Sequence, residues 1–272
     1  MEQSEYTTLA AVEAKHWWHG GMRAITAALL DPVFAHQRNL RILDAGCGAG
    51  GNARFLQRYG NVYGLDIARP ALQFSASNLP GRLVGASVAE LPFASDSFDL
   101  VTSFDVLYHR AVPDELVALR EFHRVLRPNG RVLLRMPAYE FLRSKHDRAV
   151  HTRRRYTATE VRDLLSSAGF FVERWSYALT TLFPLALAQR LAERLLPALE
   201  QENSDLSLPS DAVNALMRMP LALEAAWISS GGILPFGLSI VCVAHSGKFE
   251  RIAAQRRERT PTPSAASAPP RE

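Results

Sequence analysis

Ten residues, "LDAGCGAGGN" from Leu43 to Asn52, bring a carboxylate and four glycines into one short turn. Gly46, Gly48 and Gly51 fit a dinucleotide loop, G-x-G-x-x-G, in which a pyrophosphate rests on a helix N-terminus. Gly46, Gly48 and Gly50 fit a second pattern, G-x-G-x-G. Asp44 separates the two. A carboxylate there would repel a doubly negative pyrophosphate. It would attract the cationic ammonium and sulfonium end of S-adenosylmethionine. Asp66 follows about twenty residues later and suits ribose hydroxyls; either cofactor needs that contact, so it does not discriminate.

The elements that must hold these residues are legible around them. "LRILDAG" reads as a buried strand ending in the glycine turn, with a helix through "NARFLQRYG". "NVYGLDI" is a second strand that ends at Asp66. Further strands are expected in "GRLVGAS", "SFDLVTSFDVL", "RVLLRMP", "FFVERWSYA" and "GLSIVCVAHS". Between them "DELVALREFHRVL" and "TATEVRDLLSSAGF" carry helical spacing, the second from a Thr cap to Gly169. "RPNG" is expected to stop the first of these helices before its strand. Such alternation predicts an α/β fold: a Rossmann-like, seven-stranded, mostly parallel sheet with an antiparallel last strand. An N-terminal helical lid (1–37), a cofactor-binding core (38–137) and an acceptor-side region (138–235) are expected within one domain, 1–250. The interval from Leu182 to Gly232 should be a helical insertion before the last strand.

Four segments, "LDAGCGAGGN", "VYGLDI", "ELPFASDSFDLVTSFDVLYH" and "LREFHRVLRPNGRVLLRMPA", together resemble the class I S-adenosylmethionine-dependent methyltransferases, in particular the type 11 group. The likeness covers roughly Leu40 to Ala138, with the motifs in the family's order. It implies S-adenosylmethionine as cofactor, held by Asp44, Gly46, Gly48 and Gly50, with Asp66 on the ribose and Ile67 against the adenine. Ser87 and Val88, ahead of "ELPF", would reach the adenine edge, and Phe104 would flank the methionine moiety. Many relatives place Asp where this chain has Ser87; a neutral hydroxyl accepts a weaker hydrogen bond. In "HWWHGGMR", the resemblance implies that Trp18 stacks near the cofactor or acceptor and that Arg23 reaches the methionine carboxylate. Core aromatics are the plain alternative for Trp17 and Trp18.

Methyl transfer requires in-line alignment, and a base only when the nucleophile must lose a proton. His109, His146 and His151 are the candidates, since imidazole titrates near neutrality. Tyr108 stands beside His109 and is expected on the acceptor. The basic stretch from Arg143 to Thr157 holds six Lys/Arg side chains and one acid, a net charge of +5, while the whole chain carries +4. Its "HDRAVHTRRRY" also resembles a stretch of methyltransferases associated with glycan and natural-product clusters. Arg148, Arg153, Arg154, Arg155 and Tyr156 are therefore expected on a small-molecule acceptor, with a carboxylate- or phosphate-bearing one suited to guanidinium forks. A solvated loop with one Arg on Asp147 is the alternative.

Composition sets the outer bounds. The chain of 272 residues, 47% hydrophobic and 21% charged, suits a globular protein with a sizeable core. Two cysteines, Cys47 and Cys242, make neither a disulfide framework nor a zinc site, and Cys47 reads as a compact residue in a tight loop. No uncharged apolar run reaches the roughly eighteen residues of a transmembrane helix. A cytoplasmic monomer or homodimer is expected. The apolar "YALTTLFPLALAQRLAERLLPAL" is expected as buried core ahead of a dimer face or a surface for a lipid-linked acceptor. Residues 251–272 read as a disordered tail. An RNA or nucleic-acid methyltransferase is disfavoured by the confinement of the basic run to one loop, and an NAD-dependent oxidoreductase by Asp44.

Overall fold

A computed structural model describes residues 15–34, 36–195 and 210–248. The first fourteen residues of the expected lid, the expected tail and the end of the apolar run lie outside the described residues. Seven strands form one sheet: β1 (Leu40–Ala45), β2 (Gly60–Asp66), β3 (Leu83–Gly85), β4 (Phe98–Phe104), β5 (Leu126–Pro137), β6 (Phe171–Ala178) and β7 (Ser239–His245). Their order is β3-β2-β1-β4-β5-β7-β6, and only β7 runs antiparallel to its neighbours. The chain thus steps outward from β1 in both directions. The crevice where the direction reverses, between β1 and β4, is where doubly wound sheets bind ligands.

Helices cover both faces. Ile42, Leu100, Leu133 and Val241 pack against α1 (Trp17–Phe34), α2 (Gly51–Leu56) and α8 (Asp211–Ser229). Their sequence neighbours Leu43, Val101, Val132 and Cys242 face α4 (Glu115–Val125) and α6 (Ala158–Ser167) on the other side. This alternation explains why the strands read as continuous apolar runs: both faces are buried. The remaining helices are α3 (Arg69–Ser75), α5 (Lys145–Ala149) and α7 (Phe183–Leu195). The Thr157 cap forms as expected, its side chain accepting from Glu160 N while the Glu160 carboxylate reaches back.

Two expectations change. β5 begins at Leu126, paired with Phe98, and runs through "RPNG" with a register shift; Asn129 takes the left-handed turn at φ 65°. The apolar run is not simply buried core, because Leu185, Leu191 and Leu195 of α7 are exposed. One carboxylate secures this insertion to the sheet. Glu224 of α8, buried, accepts from Leu179 N at 2.7 Å, Thr181 N at 2.9 Å and Thr181 Oγ1 at 2.8 Å. Glu224→Ala would orphan two backbone donors and should cost about 3 kcal/mol in urea unfolding. A loss below about 1 kcal/mol would show that the clasp is dispensable.

Candidate functional site

The glycine loop leaves β1 and turns across its carboxyl end. Gly46, Gly48 and Gly50 have φ of 87°, 53° and 87°, the left-handed region that side chains disfavour. A Cβ on Gly46 would lie 2.2 Å from Val106 Cγ2, so the loop must be bare where it passes the end of β4. A Cβ on Gly48 would meet nothing within 4 Å, which leaves an open cradle at that point. Gly48 N donates to Asp66 Oδ2 at 3.0 Å, and Ser75 Oγ donates to Gly48 O at 2.6 Å. Asp66 also receives Ala68 N at 2.9 Å. Its carboxylate therefore fixes the loop while keeping lone pairs for hydroxyl donors.

Asp44, 1% exposed, ends β1 beneath this loop, and Thr102 Oγ1 of β4 donates to its Oδ1 at 2.8 Å. Ile67 follows Asp66 and is 64% exposed, an apolar side chain held open beside the loop. Ser87 and Val88 stand after β3; Ser87 Oγ accepts from Ala89 N at 3.2 Å, and Val88 is buried. An anion below the cradle, a carboxylate at its rim and an uncovered aliphatic side chain suit a cationic nucleoside better than a pyrophosphate. Cys47 is not reactive here. Burial first, then Asp44 and Asp66, push its thiol up to about 12.

The side expected to receive the acceptor lies over the ends of β4 and β5. Arg135, only 5% exposed on β5, donates through Nε to Asp105 Oδ2 at 2.6 Å. Its guanidinium carbon sits 4.9 Å from the Trp18 ring centroid and 5.0 Å from that of Phe104. This stack brings Trp18, from the first turn of α1, to the carboxyl end of β4 beside Phe104. Asn214 of α8 steadies that turn by accepting from Trp17 N at 2.6 Å and donating to Lys15 O at 2.8 Å. His19 packs edge-on to Trp18. Burial, then Arg135, Arg23 and His16, drive it down to about 3. Arg135 had a signal in the sequence, an Arg set within the apolar "VLLRMP", but its partners could not be read there.

Beyond β4, Tyr108 is held protonated by burial and then by Asp105. His109 is half-buried; its Nδ1 accepts from Ala111 N at 3.0 Å, and its ring meets that of His151 edge-on at 5.6 Å. His146 and Arg148 lie exposed on α5, and His151 is exposed just after it.

The basic loop is largely neutralised within the chain. Arg153 Nη2 lies 2.6 Å and Arg154 Nε 3.0 Å from the carboxylate of buried Glu115, to which the Tyr156 hydroxyl also donates. Arg154 covers the Tyr156 ring at 4.4 Å, and Tyr156 itself is fully buried. Arg155 Nε donates to buried Asp147 at 2.9 Å and its Nη1 to Ala138 O at 2.8 Å. The expected acceptor clamp of Arg153, Arg154 and Arg155 would thus compete with internal partners. Tyr156 acts from within the core rather than at a surface. Among the described residues no cluster of three or more His, Cys, Asp or Glu could hold a metal.

Comparison with known proteins agrees with this geometry. A family profile described as the methyltransferase domain matches residues 43–134. The chain is 32% identical over 232 residues to malonyl-[acyl-carrier protein] O-methyltransferase of Halorhodospira halophila, spanning 78% of this chain and 75% of that protein. The chain belongs to the class I S-adenosylmethionine-dependent methyltransferases. Its cofactor is S-adenosylmethionine. Demethylmenaquinone methyltransferase of Staphylococcus aureus is 38% identical over 105 residues, 36% of this methyltransferase and 43% of that protein. Phosphoethanolamine N-methyltransferase 2 of Haemonchus contortus, solved with S-adenosyl-L-methionine, shares the fold: TM-score 0.57, 17% identity, 90% of this chain and 57% of that one.

Proposed function

We propose that this methyltransferase acts on an oxygen already ionised at neutral pH, a carboxylate or an acidic ring hydroxyl, carried by a small molecule with an apolar body. His109 carries the reading. Because Nδ1 accepts the Ala111 N–H, the neutral imidazole bears its proton on Nε2. Burial, then His151, lowers its pKa, which keeps it neutral near pH 7. In that state it donates a hydrogen bond and does not take a proton. Tyr108 and Cys47 are held protonated, so neither supplies a base.

S-adenosylmethionine supplies a methyl group already activated on a sulfonium. Asp44, the Gly46–Gly50 loop, Asp66 and Ile67 would hold it, and Ser87 and Val88 would border its adenine. The chain then has to align the acceptor, with His109 Nε2–H as a donor and Trp18 and Phe104 walling the pocket. An apolar body has a surface to lie on. Tyr139 stacks on Tyr177 at 5.2 Å and on Phe141 at 5.1 Å beyond the end of β5. Of the acceptors the relatives' names mention, the malonyl thioester carries a free carboxylate of this class, whereas demethylmenaquinone lacks its methyl at a ring carbon.

The test uses labelled S-adenosylmethionine with three acceptors: a malonyl thioester, a naphthoquinol and ethanolamine. Methyl transfer to an oxygen of either of the first two and none to ethanolamine supports the reading; transfer to the amine alone, or to a ring carbon alone, overturns it. With the active acceptor, His109→Ala should lower kcat/KM by about 10- to 100-fold, with partial recovery in His109→Gln, which retains a donor. The rate should stay flat as pH falls from 8 to about 7. A base with an imidazole pKa, lost in His109→Ala, would show His109 taking a proton instead.

A further inference from the structure

Helix α8 has two apolar faces, and among the described residues only one is covered. Leu221, Ala225 and Ile228 are buried against the sheet and α1. On the opposite side Val213, Leu216, Met219, Leu223 and Trp227 are 47–70% exposed. Their spacing of three, three, four and four residues sets them in one stripe about 21 Å long. Alanines fill the exposed positions beside it: Ala212, Ala215, Ala222 and Ala226. From Asp211 to Ile240 the carboxylates are Asp211, exposed at the first turn of α8, and buried Glu224, and the exposed cation is Arg218, beside exposed Lys15.

The apolar surface continues past the helix. Trp227 Nε1 donates to Ile233 O at 3.5 Å, and Ile233 and Phe236 are exposed in the following loop. The Phe236 ring lies 5.1 Å from Phe183, which approaches Phe141 at the acceptor edge of the sheet. A two-fold pairing of α8 with a second copy would cover the stripe, but it gives no role to this loop or to the two cations, Arg218 and Lys15, that stand against a single exposed acid on α8, Asp211. A lipid surface accounts for both. No described helix is long and apolar enough to cross a membrane, so the contact is interfacial.

We propose that α8 and the loop through Phe236 dock on a phospholipid bilayer bearing anionic headgroups. The stripe enters the acyl boundary, Trp227 sits at headgroup level, and Arg218 and Lys15 meet the anionic charge. The proposal stands apart from the acceptor chemistry, because binding to lipid can be read without turnover.

The experiment is cosedimentation of the full chain with phosphatidylcholine vesicles, with and without phosphatidylglycerol. It is run beside sedimentation velocity without lipid. Wild type should pellet with the anionic vesicles and less with the neutral ones. Leu223→Glu/Trp227→Glu should bind at least about tenfold more weakly, since two large apolar side chains no longer enter the acyl boundary and two added carboxylates face anionic headgroups. S-adenosylhomocysteine affinity, unchanged in the variant, certifies its fold. Wild type remaining in the supernatant overturns the proposal, including the case in which it sediments as a dimer that the variant dissociates. Equal pelleting of wild type and variant also overturns it, because another surface would then be responsible.

Discussion

Asp66→Ala is expected to weaken S-adenosylhomocysteine binding by at least about a hundredfold in titration calorimetry, with the fold intact. The carboxylate has two duties. It would accept the ribose hydroxyls, each such charge-assisted bond being worth about 1.5–3 kcal/mol. It also receives Gly48 N at 3.0 Å and Ala68 N at 2.9 Å, which sets the open turn of the loop. Half-buried Asp66 can lose these without collapsing the core, so the deficit should appear in binding rather than in folding. Ser87→Ala should cost far less, because Ser87 Oγ is a neutral acceptor already engaged by Ala89 N. A dissociation constant within about threefold of wild type for Asp66→Ala would remove Asp66 from the cofactor site.

The second large effect is on stability. Glu115→Ala should lower the unfolding free energy by about 2–3 kcal/mol. Glu115 is buried and gathers Arg153, Arg154 and the Tyr156 hydroxyl. Both arginines keep a third or so of their surface in water and can rehydrate when the carboxylate is gone, so their share is small. The Tyr156 hydroxyl cannot, and an orphaned buried donor costs about 1–3 kcal/mol. The sign of the pH dependence follows. Burial opposes ionisation of Glu115, but Tyr156, the backbone and the two arginines outweigh it and lower its pKa. Asp147 is likewise lowered, burial being outweighed by Arg155 and then Ser144. Their stabilisation is complete above the ordinary carboxylate range near 4, and is lost as pH falls through the lowered folded-state values. The gap between wild type and Glu115→Ala, measured by urea unfolding, should therefore narrow below about pH 4. A gap that stays constant down to pH 2 would contradict the charged network.

These pairs change how the basic loop is understood. From Arg143 to Thr157 the sequence shows positive charge and a single acid, and an anion-binding surface is a fair expectation. Glu115 and Glu140 come from outside the run. Glu140 pairs with Arg143 and accepts Arg155 N at 3.0 Å. The loop is held by carboxylates that its own residues do not disclose. His109 shows a similar limit. Its residue type suggests a base, whereas the backbone hydrogen bond to Nδ1 decides which nitrogen carries the proton.

The sequence by itself determined the glycine loop and its two acids. Asp44, the three glycines and Asp66 sit in turns and strand ends a few residues long, where backbone conformation and residue type are bound together locally. It also determined the sheet, because runs buried on both faces alternate with amphipathic helices. Only the tertiary structure decided what gathers at the ends of β4 and β5. Arg135, Asp105, Phe104 and Trp18 meet from three segments, and burial converts their charges and rings into one stack. It alone decided, too, that α8 buries one apolar stripe and exposes the other. An apolar pattern states that a face avoids water, but what covers that face depends on which elements the fold brings against it.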